Sequence, residues 1–299
     1  INQGFSLANV GYFNQFESTA SSTYHSLQTS LQIRNWRGLT SRFNYTWSHA
    51  IDNASDGQDY VPQATQPDDS FHPERERANS NFDMRHRFQW YWTYDFPSTE
   101  TARWLLSGWA IDGVVTLQSG QPYNMTYLFE DDFNGSGEFF GRPDLVGDPF
   151  AGTGGLKILN LSAFAAPCDF DNVAGTCAGG QHFANLGRNA FVGPPYRNFD
   201  FSLVKNTNLS ERVKMQIRAD FFNILNHPNF ANPLWPNFGV TFLQNGGQFV
   251  DTGTPGDDIG QFRGTGFLQP TVTPDVGLGN PFLGGGGPRN IQLALRFTF

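Results

Sequence analysis

Alternation of apolar and polar residues is the main pattern of this chain, and it is clearest in residues 82–96, FDMRHRFQWYWTYDF. Successive side chains of a strand point to opposite faces, whereas a helix groups residues three and four apart. A spacing of two separates Phe82, Met84, His86, Phe88, Trp90, Trp92, Tyr94 and Phe96 from Asp83, Arg85, Arg87, Gln89, Tyr91, Thr93 and Asp95. The pattern predicts a β-strand with one apolar face, on which only His86 is out of place.

Alternation alone does not decide what the apolar face contacts. A soluble β-sandwich buries such a face in its core, and a membrane barrel turns it to lipid. Length favours the membrane, because soluble strands average about 5–6 residues and membrane strands need roughly 9–11.

The same alternation predicts seven further strands, which makes eight in all. They cover residues 8–16, 24–34, 38–51, 107–118, 198–206, 211–223 and 289–299. No helical periodicity of comparable length interrupts them, so the chain is predicted to be all-β.

Short and long connections between the predicted strands alternate. The short connections are 35–37, 97–106 and 207–210, and the long ones, rich in Gly, Pro, Asn and Asp, are 52–81, 119–197 and 224–288. This asymmetry is typical of an antiparallel up-and-down transmembrane β-barrel, with short periplasmic turns and long extracellular loops. We expect one barrel domain over residues 1–299, with Trp90, Trp92 and Trp109 near the inner interface and Trp47 near the outer one.

Composition narrows the function classes. Of 299 residues, 38% are hydrophobic and 30 are Phe, which suits exposed apolar faces better than a deep aliphatic core. A net charge of −8 argues against nucleic-acid binding, which needs a basic surface. No apolar run of about 18 residues is present, so a transmembrane helix is not expected. The opening INQGFSLANV lacks a Met or a signal sequence, so we expect a processed chain or a piece of a longer one.

Several stretches carry more than alternation. They are GLTSRFNYTWSHAIDNAS, NSNFDMRHRFQWYWTYDFP, GWAIDGVVTLQSGQPYN, NLGRNAFVGPPYRNFDFSLVKN and RADFFNILNHPNF, and they lie in this order between about residues 38 and 230. Together they resemble the C-terminal barrel of TonB-dependent outer-membrane receptors, most closely the Oar-like group, whose members often carry a carboxypeptidase-regulatory-like domain.

The resemblance implies a 22-stranded barrel, an N-terminal plug, the outer membrane of a Gram-negative bacterium, and nutrient uptake driven by the TonB complex. The chain departs from this pattern, because 22 strands of about ten residues would take some 220 residues before any loop. Eight predicted strands without a plug or TonB box point to the C-terminal part of a receptor. The alternatives are a small closed outer-membrane barrel (a pore, an adhesin or an enzyme at the rim) and a soluble carbohydrate-binding β-domain.

Charged residues on the polar faces are the candidate binding residues. They are Arg42, Arg85, Arg87, Asp112, Lys214 and Arg218, with Asp200, Asp220 and Arg296 in the same set. They could form a selectivity path through the lumen, or a mutually neutralising ladder that hydrates the wall, which we favour.

Other candidate sites are weaker. Cys168 and Cys177 could form a disulfide in an oxidising compartment. Residues 132–137, DFNGSG, partly match a calcium loop, but Pro143 occupies the position of its bidentate Glu. Catalysis is not expected, because the six histidines are scattered and no Gly-x-Ser-x-Gly is present, although His49, His72, Asp52 and Asp56 border one outer loop. No cofactor or metal is expected.

The last strand suggests a partner. LALRFTF places Leu293, Leu295, Phe297 and Phe299 on one face. Such an end resembles the signal read by the machinery that inserts outer-membrane barrels, because an unpaired strand can add to another sheet while its last aromatic enters a pocket.

Overall fold

A computed structural model of the chain describes most of the predicted strands. The described residues are 18–55, 67–69, 72–125, 127–128, 140–154, 159–165, 183–230, 243–245, 248–250, 267–268 and 288–299. The predicted strand 8–16 and the pair Cys168 and Cys177 lie outside these residues.

Seven long strands form one antiparallel sheet in which each strand pairs with the next along the chain. They are β1 (Ser22–Trp36), β2 (Leu39–Asp52), β3 (His86–Asp95), β4 (Trp109–Gln118), β5 (Tyr196–Asn208), β6 (Lys214–Phe222) and β7 (Asn290–Thr298). All six pairings are antiparallel, and the short strand Ala78–Asn79 adds to the end of β2. Seven of the eight predicted strands are therefore present, paired as sequential neighbours.

The remaining elements are short. One helical turn, α1 (Arg103–Leu106), lies between β3 and β4, and 3-10 turns cover Pro73–Glu76 and Leu161–Ala163. Two- and three-residue strands cover Pro122–Tyr123, Tyr127–Leu128, Phe140–Gly141, Asp144–Leu145, Leu159–Asn160, Phe164–Ala165, Phe191–Val192, Leu243–Asn245, Gln248–Val250 and Phe267–Leu268. Within the described part of the chain, no helix has the length and apolar character that a membrane crossing requires.

The strand register keeps the apolar residues of neighbouring strands on one face. Phe43 pairs with Trp90, Trp90 with Val115, and Val115 with Phe199. Side chains of directly paired residues share a face, so the apolar residues of separate strands join into one surface, here called the aromatic face. The opposite side, the polar face, has rows such as Thr93, Asp112, Ser202 and Asp220.

The strand predicted from Phe82 begins four residues later, at His86. Residues before His86 fold over the end of β2 instead of extending β3. The Asp83 carboxylate accepts a hydrogen bond from the Ala50 backbone N–H (2.8 Å), and the Ser48 hydroxyl donates to the Met84 carbonyl (2.7 Å). Backbone pairing here continues through the Ser48 N–H, which donates to the Arg85 carbonyl (3.1 Å), and side-chain contacts hold the residues before it.

Both long edges of the sheet lack a partner strand among the described residues. β1 and β7 stand at opposite ends of the strand order, so the sheet is open. All nine residues of β7 are exposed.

Buried apolar side chains lie mainly in the long connections. The strands contribute Ala50, Ala110 and Val204, whereas the connections contribute Tyr123, Met125, Leu159, Ala163, Phe164, Ala184, Leu186 and Phe191. The long strands thus leave their large apolar groups at the surface, and a small core forms where the connections meet.

Candidate functional site

Aromatic rings form a continuous row across the aromatic face. Phe43 on β2 stacks on Trp90 with ring centroids 5.4 Å apart and planes inclined by 11°. Trp90 lies 5.9 Å from Trp92, Trp92 lies 6.3 Å from Phe201, and Phe201 lies 6.1 Å from Phe221. The row spans β2 to β6, and each of its rings is only partly buried. A row of large, half-exposed rings is a surface suited to an apolar surrounding.

Gly113 makes room for this row at β4. It is paired with both Trp92 and Phe201, and it contributes no side chain between them. A Cβ on Gly113 would lie 2.2 Å from the Trp92 indole. The missing side chain lets Trp92 lie across β4 and reach Phe201.

Polar atoms within the aromatic face have partners. His86, the residue that breaks the predicted apolar pattern, has its Nδ1 2.9 Å from the Tyr45 hydroxyl, and the two rings are stacked. The Trp90 indole N–H donates to the Ser41 hydroxyl (2.8 Å), which donates to the Tyr91 carbonyl (3.3 Å). These bonds lower the cost of placing polar groups on an apolar surface.

Lys205 also lies on the aromatic face, and the sequence pattern did not predict it as a site residue. Its position follows from alternation along β5 with Phe199, Phe201 and Leu203. The ammonium donates to the Ser107 carbonyl and lies 5.5 Å from the centre of the Trp109 ring. Alternation alone could have placed Lys205 here, but only the tertiary structure provides its partners.

The polar face holds the predicted lumen charges in two kinds of surrounding. Arg218 reaches Asp220 (2.6 Å), Asp112 (3.9 Å) and Ser202 (3.1 Å), so one group links β4, β5 and β6. Ser202 also donates to Asp220. This cluster is mutually paired.

The other predicted charges of the polar face are more separate. Arg42 bonds to Asn44 (3.1 Å) on its own strand, and Arg85 pairs with Asp83 (3.2 Å) before β3 begins. Arg87 and Lys214 are exposed. Asp200 accepts a hydrogen bond from the Asn223 backbone N–H (2.9 Å), and Arg296 is exposed on β7.

Several described parts of the long connections contact one another and the last residue of β2, and they form what we call the loop cap. It consists of residues 67–69, 72–85, 119–125, 142–154, 159–165 and 183–195. Buried charged residues in this region are Asp52, Asp68, Asp69, Glu76, Asp83, Arg142, Asp144 and Arg188. Fully buried charges are rare in proteins unless they are paired, so their partners define the cap.

Arg142 is the centre of the first cluster. Its two terminal nitrogens each donate to one Glu76 carboxylate oxygen (2.7 Å), and its Nε donates to the Leu186 carbonyl (2.9 Å). Asp68 accepts from the Arg142 backbone N–H (3.2 Å) and lies 3.6 Å from its guanidinium. The bidentate geometry is the strongest form of an Arg–carboxylate pair.

Burial sets the ionisation of this cluster. Desolvation raises the pKa of Asp68 above its ordinary value, although the charge of Arg142 opposes the shift. Desolvation lowers the pKa of Arg142, but the hydrogen bonds to Glu76 and the charge of Asp68 outweigh it, so the net shift is upward. Two carboxylates thus share one guanidinium in a poorly hydrated place.

Arg188 centres a second cluster that fixes the cap to the sheet. It donates to the carbonyl (2.7 Å) and carboxylate of Asp52, the last residue of β2, and to the Ser55 hydroxyl (2.9 Å). Its Nε donates to the Glu76 carbonyl (3.0 Å). Neither arginine is predicted from the sequence as a site residue, because nothing near them in sequence marks their partners.

The other candidate residues are not brought together. His49 contacts Asn79 (2.9 Å), His72 contacts Glu74 (3.1 Å), and Asp52 is bound by Arg188, so these three take part in separate contacts. Asp56, residues 132–137 and both cysteines lie outside the described residues. Among those described, no group of three His, Cys, Asp or Glu side chains is arranged to hold a metal ion.

The predicted assembly residues lie on the edge strand. Leu293, Leu295 and Phe297 pair with Ala219, Ile217 and Met215 of β6, so they extend the aromatic face. Phe299 follows β7 and is 91% exposed.

Comparison with known families gives one match. A family model described as an outer membrane beta barrel domain matches residues 1–261. Comparison with curated proteins and with solved structures gives no match.

Proposed function

The chain belongs to the outer membrane beta barrel domain family, and from the motifs of residues 38–230 we propose that it is part of a TonB-dependent receptor barrel that takes up a nutrient. Membership together with the antiparallel sheet confirms the predicted membrane-barrel fold class and the outer membrane of a Gram-negative bacterium as its location. The finer assignment to the TonB-dependent, Oar-like group rests on the motifs of residues 38–230.

The aromatic face is the lipid-facing side of the wall. In a membrane barrel the outward band is apolar and the interior is polar, and the row from Phe43 to Phe221 is the apolar surface of this sheet. The cluster of Arg218, Asp112 and Asp220 then lines the interior.

The proposal of a large barrel rests on the resemblance of residues 38–230 to TonB-dependent receptor barrels, which have many more strands than eight. Among the described residues β1 and β7 have free edges. Because unpaired backbone N–H and C=O groups cannot remain exposed in hydrocarbon, strands outside the described residues must cover these edges. A wall of many strands encloses a lumen, whereas about eight strands leave room for little more than side chains. A wide lumen suits the passage of a nutrient better than a small closed barrel does.

The loop cap supports a receptor role. Its buried ion pairs hold connections from two different strand pairs against each other. A substrate-capturing surface needs loops of defined shape. The cap gives such a shape to segments that carry little regular secondary structure, and we propose that it forms the outer vestibule. We propose no catalytic role.

Energised uptake is the property to test. Cells with and without the gene would be grown in a complex medium, and depletion of medium components would be followed by mass spectrometry, with and without a protonophore. TonB-driven uptake predicts a component whose depletion requires both the gene and the proton gradient. Depletion that requires the gene but not the gradient would instead identify a passive pore. Equal depletion in both strains would contradict uptake.

We also propose the barrel-assembly machinery as a partner, recognising β7 and Phe299. The exposed edge of β7 supports this, since strand addition needs an unpaired edge. Removing Phe299 takes away little lipid-facing area, so stability in detergent should change little while insertion in cells falls. Quantifying folded protein in outer membranes for the native protein, Phe299→Ala and the Phe299 deletion tests this. Undiminished insertion of both variants would contradict recognition of Phe299.

A further inference from the structure

The short helical turn between β3 and β4 has an unusual surface. α1 (Arg103–Leu106) follows Ala102, whose backbone is left-handed (φ 47°). Its three apolar side chains are exposed: Trp104 to 73%, Leu105 to 48% and Leu106 to 48%. A four-residue helix gains little from its own hydrogen bonds, so its position depends on contacts with the strands.

Two side chains of the aromatic face hold this turn. The Trp109 indole N–H donates to the Leu105 carbonyl (2.8 Å), and the Lys205 ammonium donates to the Ser107 carbonyl. Trp109 and Lys205 are paired neighbours on β4 and β5. Both side chains belong to the aromatic face. By binding carbonyl groups of the turn, they hold α1 on that side of the wall.

Hydrogen bonds between residues of the β3–β4 connection fix the rest of this turn. Ser107 Oγ donates to the Thr99 carbonyl and accepts from the Thr99 backbone N–H, both at 2.9 Å. Gly108 has a positive φ of 79°, and a Cβ there would lie 2.2 Å from the Asn206 carbonyl oxygen. The turn therefore enters β4 in a close approach to β5 that suits glycine.

We propose that α1 is a membrane anchor, with Trp104, Leu105 and Leu106 inserted into the interfacial region of the phospholipid leaflet nearest the short turns. The observation that identifies lipid as the occupant is continuity: the Leu105 carbonyl accepts a hydrogen bond from the indole of Trp109, which belongs to the aromatic face. The inference therefore rests on the proposal that this face contacts lipid. Trp is the residue that membrane interfaces favour. Lys205 is buried, and its ammonium reaches the Ser107 carbonyl beside the Trp109 ring, as long basic residues reach polar groups at membrane boundaries.

The neighbouring short turns fit the same surface. Trp36, at the β1–β2 hairpin, is 63% exposed, and Leu209, between β5 and β6, is 53% exposed. All three short connections thus present an apolar residue, and α1 presents three in succession. The anchor fixes the depth at which the wall sits in the bilayer.

Depth-dependent quenching of Trp104 tests the anchor. The full-length protein, isolated from outer membranes, would be reconstituted in vesicles of phosphatidylethanolamine and phosphatidylglycerol that contain lipids brominated at defined depths. The emission of Trp104 is obtained by subtracting the fluorescence spectrum of the Trp104→Phe variant from that of the native protein. We expect this difference to be quenched by lipids brominated close to the headgroup and protected from acrylamide in the water.

A matched reporter comes from the loop cap. Phe150 is 59% exposed there, and Phe150→Trp in the Trp104→Phe background should show the opposite behaviour, with quenching by acrylamide and none by brominated lipid. Quenching of Trp104 by acrylamide, with no effect of brominated lipid, would place α1 in the periplasm, available to a protein partner, and would overturn the proposal.

Substitution of Lys205 tests how the anchor is held. Lys205→Gln removes the charge near Trp109 and weakens the bond to the Ser107 carbonyl, so Trp104 should lose most of its lipid quenching and become open to acrylamide. Lys205→Arg keeps a cationic donor and should retain the native quenching. Native quenching in Lys205→Gln, with the sheet intact by circular dichroism, would overturn the role of Lys205.

Discussion

The loop cap buries charged side chains beside its small apolar core, whereas the sheet leaves its large aromatic side chains partly exposed. In the sheet, Trp90, Trp92 and Phe201 are only partly buried, although they are the largest apolar side chains of their strands. In the cap, Arg142, Arg188 and Glu76 have about 2% of their surface exposed. The same chain thus turns aromatic rings outward in one region and charges inward in another.

The two regions differ because their surroundings determine which groups need partners. Aromatic side chains are stable in contact with lipid, but backbone N–H and C=O groups there need hydrogen-bond partners from the protein. The wall therefore depends on the hydrogen bonds between its strands. The cap has little regular secondary structure, so buried charges must be paired within it. Stability in the wall is therefore spread over many equivalent contacts, and stability in the cap is concentrated in a few.

The largest effect is expected from breaking the central pair of the cap. Arg142→Met leaves Glu76 and Asp68 buried without their cation, which should cost the cap about 3–5 kcal/mol. Hydrogen exchange over residues 72–85 and 183–195 should accelerate sharply, while exchange in β2 to β5 stays native. Unchanged protection of both cap segments would contradict the assigned role of Arg142.

A double substitution tests whether Arg142 and Glu76 stabilise the cap as a pair. Arg142→Met with Glu76→Leu removes one carboxylate together with the cation and should recover part of the lost protection, because less charge remains buried alone. Double-mutant behaviour that is simply additive would show that the two side chains act independently.

The next largest effect is expected in the sheet at Gly113. Gly113→Ala places a methyl group against Trp92 and should cost about 1–3 kcal/mol, the usual range for overpacking. Trp92→Ala should lower the further cost of this substitution, because the ring that it meets is gone. Urea unfolding in detergent measures both, and hydrogen exchange in the cap serves as the control. An equal cost of Gly113→Ala with and without Trp92 would contradict the contact.

A smaller, pH-dependent effect is expected at Asp68. Burial raises its pKa in the folded cap, so the folded state holds the proton more tightly than the unfolded state does. The contribution of Asp68 to cap stability is then most favourable below the unfolded pKa and declines as pH rises through the folded pKa. At neutral pH the cap of the Asp68→Asn variant should be more protected from hydrogen exchange than the native cap. This difference in protection should vanish in acid. Hydrogen exchange at several pH values, corrected for intrinsic rates, checks this, and an advantage independent of pH would point to packing instead.

The smallest effect is expected on the polar face of the wall. Arg87 is exposed on β3, and Arg87→Gln should change stability by less than about 0.5 kcal/mol. Arg218→Gln is the matched contrast, because Arg218 contacts Asp112 and Asp220. In urea unfolding, Arg218→Gln should lower the free energy of unfolding more than Arg87→Gln does. The reverse order would show that the cluster contributes little to the stability of the wall.

The strands of the wall could be predicted from the sequence. Period-two alternation is a local property, and it located β1 to β7, their antiparallel order and the division of faces, including the side on which Arg42, Arg87, Asp112, Lys214 and Arg218 lie. It erred where side chains compete with the ladder, as at Asp83, since a hydrogen bond to the backbone of another strand leaves no trace in local periodicity.

The cap and the contacts of Lys205 could not be predicted in this way, because they depend on residues far apart in the chain. Arg142 and Glu76 are 66 positions apart, and Arg188 and Asp52 are 136 apart. No periodicity relates such residues, because long connections have no fixed rise or register that would predict which side chains meet. Lys205 follows the alternation of β5, yet its carbonyl partner lies in a turn whose path depends on Trp109 and Ser107. Local patterns thus specify elements that repeat, whereas contacts between irregular segments depend on how the strands bring those segments together.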